Sequence, residues 1–356
     1  MKKFKRIIAF MLTVFMVASL AACGGGNEAT DNGSDGGSGN KKVVNIGAAI
    51  YQYDDNFMTL YRTEMENYVK SLNESSTDVE YKLTLVDGKN DMATQTEQIN
   101  SFITQGMDAI ILNPVQTSSA KVLVDKCVEA NIPVIIINRE PDGSVITSSD
   151  KVCYVGADAK QSGTYQGEII RDLPNKGDAD GDGVVRYIMI QGDPENSDAQ
   201  FRTEYSIKAL TDAGIEVEEL MNQIGNWATD QGQQIAANGL TQFGDKVDVI
   251  FCNNDGMAVG ASAAIKQAGR TVGEDIYLVG VDAIDQAMDL LNKGELTGTV
   301  RNNHIDQSHT AVDVAIKAVN GEAIEDYYWI DYEKVTSSDS ATEEETEAEE
   351  TTEAAA

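Results

Sequence analysis

From Lys42 onward, apolar runs of strand length alternate with segments whose apolar residues recur at the helical period. The run KVVNIGAAI is followed by a helical stretch over 56–75, then VEYKLTLVD, a helix over 92–107, and DAIILNPV. The rhythm continues with a helix over 120–130, IPVIIINRE, CYVGAD, a helix over 161–173, VRYIMIQGD and a helix over 198–213. It goes on through IEVEELMNQIG, VDVIFCNND, IYLVGVD and GTVRNN, each followed by a helical stretch. Strand and helix in regular alternation predict parallel sheets covered by helices, because a parallel pair needs a crossover long enough to hold a helix. About ten strands are too many for one small sheet, so the pattern points to two Rossmann-like α/β lobes.

The ends of the chain depart from this rhythm. Lys2, Lys3, Lys5 and Arg6 precede an apolar run from Ile7 to Ala18 that is too short to span a bilayer, which predicts an export signal over 1–22. The quartet Leu20-Ala21-Ala22-Cys23 resembles the bacterial lipobox, which implies a diacylglyceryl group on Cys23 and an anchor on the outer face of the membrane. Residues 23–40 are mostly Gly, Ser, Asn and Asp and read as a flexible tether. Residues 336–356 are Ser, Thr, Ala and acid, including Glu343, Glu344 and Glu345, and read as a solvating acidic tail.

Charge narrows the choice of partner. The chain has 27 basic and 58 acidic residues, and loss of the four basic signal residues would take its net charge from −31 to −35. Such a surface repels nucleic acid, and no basic helix-turn-helix precedes Lys41, which argues against a sugar-responsive transcription regulator. With Cys23 assigned to lipid, Cys127, Cys153 and Cys252 are an odd number without metal-ligand spacing, each in an apolar segment. His304 and His309 are the only histidines, and five residues apart on a helix they point about 140° away from each other. A zinc site or a histidine triad is therefore not expected.

Ligands of open parallel sheets lie beyond the carboxyl ends of the strands. Those ends here carry Asp54-Asp55-Asn56-Phe57, Asn113, Asn138-Arg139-Glu140, Asp158, Gly192-Asp193-Pro194, Asn253-Asn254-Asp255, Asp282 and Asn302-Asn303. Asp, Asn and Arg are planar groups that can bond two neighbouring hydroxyls, and Phe57 and Trp227 can cover the C–H faces of a sugar ring. Paired acids such as Asp54 and Asp55 raise the alternative of a sugar hydrolase or isomerase, but adjacent residues on extended chain point apart. A non-enzymatic binding role is the reading that follows.

The run Tyr51-Gln52-Tyr53-Asp54-Asp55-Asn56-Phe57-Met58, with INRE, YVGAD, GDP, NNDGMAVGA, VGVDA and GTVRNN in order, resembles the bacterial galactose/glucose-binding proteins of the type I periplasmic-binding-protein family. The resemblance covers about 42–334 and implies two lobes joined by a hinge that close over a monosaccharide. It implies that Asp55, Phe57 and Asn113 contact the sugar from one lobe, and Asp198, Arg202, Trp227, Asn254, Asp282 and Asn302 from the other. Asn196 stands where the family has a histidine, which bears on the choice between galactose, glucose and other monosaccharides such as ribose, xylose or arabinose. Implied partners are the permease of an ABC importer and, in a sensing role, a chemoreceptor, with the protein itself a monomer.

The stretch 178–186 places Asp178, Asp180 and Asp182 at alternate positions with Gly183 sixth, as a calcium loop requires. The resemblance adds Asp248 as a remote ligand and the main-chain carbonyl of Val184, while Arg186 replaces a glutamine at the ninth position. The expected lobes are 43–132 with a return over 303–329, and 133–302 with about 330–335.

Overall fold

The computed structural model describes residues 41–337; the expected signal, Cys23, the tether up to Asn40 and all but the start of the acidic tail lie outside the described residues. The first sheet is built from β1 (Lys42–Ile50), β2 (Val79–Asp87), β3 (Ala109–Leu112), β4 (Val134–Ile137) and β5 (Val152–Gly156), interleaved with α1 (Asn56–Ser75), α2 (Met92–Gln105), α3 (Ala120–Glu129) and the short α4 (Gly143–Ile146). The chain then crosses to α5 (Ala159–Arg171) and lays down β6 (Val185–Gln191), α6 (Ser197–Asp212), β7 (Val217–Ile224), α7 (Thr229–Phe243), β8 (Val249–Cys252), α8 (Asp255–Gln267), β9 (Tyr277–Val279), α9 (Asp285–Asn292) and β10 (Gly298–Arg301). It returns through α10 (His304–Val319) and β11 (Tyr327–Trp329), and crosses a third time into β12 (Glu333–Thr336).

The strand orders are β11-β5-β4-β3-β1-β2 and β12-β10-β9-β8-β6-β7, all neighbours parallel except the antiparallel β10–β12 pair. Alternation along each strand divides the core. Ile46, Ala48, Ile111 and Ile135 face one side of the first sheet with α1 and α10, whereas Ala49, Ile110, Leu112, Val134 and Ile136 face the other with α2 and α3. The second sheet is divided in the same way between Ile188, Ile250 and Leu278 and the facing set Met189, Phe251 and Val279.

The expected lobe boundary at 132/133 is corrected. Val134–Ile137 and Val152–Gly156 are buried on both faces and continue the first sheet, with Ile110 opposite Val134 and Ile135 opposite Cys153. Two fully apolar strands need cover on both sides, and the first sheet supplies it. The chain therefore crosses after Gly156.

Candidate ligand-binding site

The carboxyl ends of the two sheets face a common cavity lined from both lobes. Helix starts supply much of its wall. Asp55 caps α1, its Oδ1 accepting from Met58 N at 2.7 Å, and its Oδ2 accepts from the Tyr51 hydroxyl at 2.7 Å. Asn196 caps α6 through Asp198 N at 3.0 Å, and Asn254 caps α8 through Met257 N at 2.9 Å. Capping thus fixes the very side chains that line the cavity, because the oxygen bound to the helix start sets the direction of the rest of each group.

Arg202, one turn along α6 from Asp198, is 3% exposed and organises the second-lobe wall. It donates to Asp198 Oδ2 at 3.2 Å, to the main-chain oxygen of Asn253 at 2.8 Å and to the Tyr332 hydroxyl at 3.1 Å, with Asp282 Oδ1 at 4.0 Å. Asp282 in turn accepts from Asn302 Nδ2 at 3.2 Å, and Asn302 Oδ1 accepts from Gln307 at 2.6 Å, so both amides are held in one orientation. Burial pushes the Asp282 and Asp198 carboxyls above their ordinary values; Arg202 opposes this at both, and Asp255 and Asp55 add to it at Asp282. Burial disfavours the charge on Arg202, but Tyr332, Asp198 and Asp282 outweigh it and keep the guanidinium protonated.

The two aromatic groups expected to cover a ring face come one from each lobe. Phe57 leads α1, 5% exposed. Trp227 sits in a left-handed backbone position at φ 67°, following Asn226 at 48°, and its ring covers Gly192, where a Cβ would stand 2.1 Å from a ring carbon. Only glycine admits the indole at that place. Trp227 Nε1, Arg202 Nε and Arg139 Nε are buried without a hydrogen-bond partner among the described residues, so donors here await an acceptor.

Nine of the ten residues expected to contact a ligand line the cavity. Asn113 does not. It is fully buried one layer beneath, accepting from Tyr51 N at 3.2 Å and donating to the main-chain oxygen of Ile137 and to Asn138 Oδ1, so it props the cavity wall. Three lining residues were not foreseen as contacts: Tyr51, Asn138 and Arg139. Arg139 lies over the Tyr51 ring at 3.7 Å and bonds the main-chain oxygen of Val115. Its place at the end of an apolar strand was the available signal.

Away from the cavity, oxygens of Asp178, Asp180 and Asp248 lie within 4.8 Å of one another, close enough to hold a metal ion. Asp182 is not in this group, because its Oδ2 takes Arg186 Nη1 at 2.7 Å. Asp248 reaches in from the start of β8, accepting from Ala179 N at 3.0 Å and Arg186 N at 2.7 Å. The three carboxylates fit a hard cation that takes oxygen ligands.

Residues 46–323 match the model of the periplasmic binding protein domain. A D-galactose/methyl-galactoside binding periplasmic protein of Haemophilus influenzae is 34% identical over 282 residues, 78% of this chain and 82% of that one. A putative rhizopine-binding protein of Rhizobium meliloti is 36% identical over 293 residues, 82% of this chain and 89% of its own. Among solved structures, an ABC transporter solute binding protein from Bacillus halodurans with bound myo-inositol superposes with a TM-score of 0.73 at 29% identity, over 85% of this chain and 97% of that one. With two hinged α/β lobes and a cavity between them, this chain belongs to the periplasmic binding protein domain family.

Proposed function

We propose that this chain is the extracytoplasmic solute-binding component of an ABC importer, that it closes its lobes over D-galactose or D-glucose, methyl-galactosides included, and that a permease takes up the closed form. The observation that carries the reading is a cavity between the lobes to which the first contributes Phe57 and Asp55 and the second Trp227, Asp198 and Asp282, while three buried N–H donors lack partners among the described residues. A ring polyol meets both needs at once: its hydroxyls donate to carboxylates and accept from guanidinium and indole, and its C–H faces cover the rings. No bond is made or broken, and the family is one of binding rather than catalysis. Diacylglyceryl on Cys23 would hold the protein at the outer face of the membrane.

Calcium is the proposed occupant of the Asp178, Asp180 and Asp248 cluster, in a structural role. Presentation of the closed form to a chemoreceptor would use the same motion, with the protein a monomer throughout.

A second reading, a cyclitol such as myo-inositol, is favoured by the myo-inositol complex of the solved relative. Thermal-shift and calorimetric titrations with galactose, glucose, ribose, arabinose, xylose and myo-inositol separate the two, since a ligand bound only by the native state raises stability by mass action. The largest shift is expected with a hexose. A larger one with myo-inositol selects the second reading, and no shift with any of them overturns both.

A further inference from the structure

Along the rim of the cavity the lobes meet in a seam where the loops after β3 and β4 lie against the loop before α6. Arg139, 2% exposed, reaches Asp193 Oδ2 across it at 3.4 Å. Thr117 Oγ1 donates to the main-chain oxygen of Glu195 at 3.2 Å, and Ser197 Oγ to that of Glu140 at 3.4 Å. Leu60 of α1 packs on the apolar core of the second lobe. These contacts hold the lobes together with no ligand involved.

Glu140, the neighbour of Arg139, acts against them. Glu140 lines the groove along the seam with Asp158 at the head of α5 and one cation, Lys160, whose amine lies 4.8 Å over the Phe201 ring, and Ser197, next to Asp198 on α6, donates to the main-chain oxygen of Glu140. On its own lobe the phenols of Tyr154 and Tyr327 face it, with Asp142 on the same loop and already taken by Ser144. Glu195 shares the groove along the seam. Burial first, then Asp198 and Asp158, against Lys160, push the Glu140 carboxyl up to about 7.

We propose that Glu140 is a proton-operated brake on lobe closure: ionised, it holds the lobes apart, and protonated, it lets the Arg139–Asp193 seam shut. Asp198 and Asp158 belong to the opposite lobe, so opening returns Glu140 to water and to an ordinary value near 4.3. Closing therefore takes up a proton between that value and about 7. Across this window the closed-to-open ratio rises by up to roughly tenfold for each pH unit of acidification, and above it the ratio is flat. The brake rests on the two-lobe fold and not on which solute is bound.

Small-angle scattering of the ligand-free full chain reads the closed fraction directly. Between about pH 8.5, above the window, and about pH 5.5, well inside it, the radius of gyration is expected to fall. Glu140→Gln should be compact at both ends, and Asp158→Asn, which keeps its helix-capping oxygen, should be more compact than wild type at the alkaline end. A wild-type radius that does not change with pH overturns the proposal, as does a change of the same size in both variants. Because no sugar is added, failure here leaves the solute titrations standing, and failure there leaves this result standing.

Discussion

At the scale of single residues, the second-lobe wall of the site is organised by Arg202. Arg202 stands between Asp198 and Asp282, both nearly inaccessible to water, and ties them to the main chain and to Tyr332. Arg202→Leu leaves the buried Asp282 without its counter-charge and Asp198 with only Arg139 to oppose burial, a change of the kind that costs about 3–5 kcal/mol. Urea unfolding should show a loss of that size, partly restored on acidification because both carboxyls already titrate above their ordinary range; a loss under 1 kcal/mol, on the order of a surface pair, would remove Arg202 from this role. The contacts most legible in the sequence were those at strand ends that also begin helices, such as Asp55, Asn196 and Asn254, because capping chemistry and ligand chemistry select the same residue types. Asn113 obeys the same positional rule and yet sits one layer below, bonded to Tyr51 N, a difference of depth that spacing along the chain does not encode. Arg139 was legible as a strand-end group, but its enclosure by the Tyr51 ring and by Asp193 across the seam follows from packing that spacing does not encode.

Among elements, alternation made ten strands legible, and the two it missed are β11 and β12, where YYW and EKVT stand among acids and lack the fully buried apolar run that marks equally short strands such as β4 and β9. Lobe membership was less legible, because an apolar run such as VIII suits any buried parallel strand and only pairing with β3 assigns it to the first sheet. In the second lobe α6 is held close to α5 by Gly167, where a Cβ would stand 2.2 Å from the main-chain oxygen of Ser206, and this approach sets the depth of Arg202. The loop before β6 makes a prediction of its own. Gly181 and Gly183 take left-handed φ of 77° and 96°, which lets Asp178 accept from both of their N–H groups while it remains beside Asp180 and Asp248. Calcium at a hundredfold excess over its Kd should raise stability by about 2.7 kcal/mol. Chelation should remove the gain, Asp248→Asn should abolish it, and Arg186→Gln, which frees Asp182, should tighten binding; a melting midpoint indifferent to calcium and chelator rules the site out.

For the whole molecule, the buried acids set how stability responds to pH. Asp255 is enclosed in the second lobe, its carboxyl pushed up to about 6 by burial against the pull of Thr299 and the Ile284 N–H, and Asp198 and Asp282 are raised as well. In the unfolded chain the same groups return to about 3.9, so between that value and the folded one the native state binds more protons. Stability that is complete below the unfolded value is then lost as pH rises through the folded one, at up to about 1.4 kcal/mol per pH unit for each group. At the acid end Asp91, Asp142, Asp172 and Asp182, held low by hydrogen bonds from Thr94, Ser144, Arg171 and Arg186, lose their contribution as they protonate. The two tendencies place the maximum on the acid side of neutrality, and denaturant midpoints should fall between about pH 5 and about pH 7.5. Asp255→Asn removes one titrating group while keeping an acceptor for the Ile284 N–H and an amide N–H that the Thr299 hydroxyl can accept, so its curve should be flatter over that interval. A wild-type curve that is level or rising there would mean that water reaches these carboxyls in solution, and the dry cavity wall built on Asp198 and Asp282 would have to be abandoned with it.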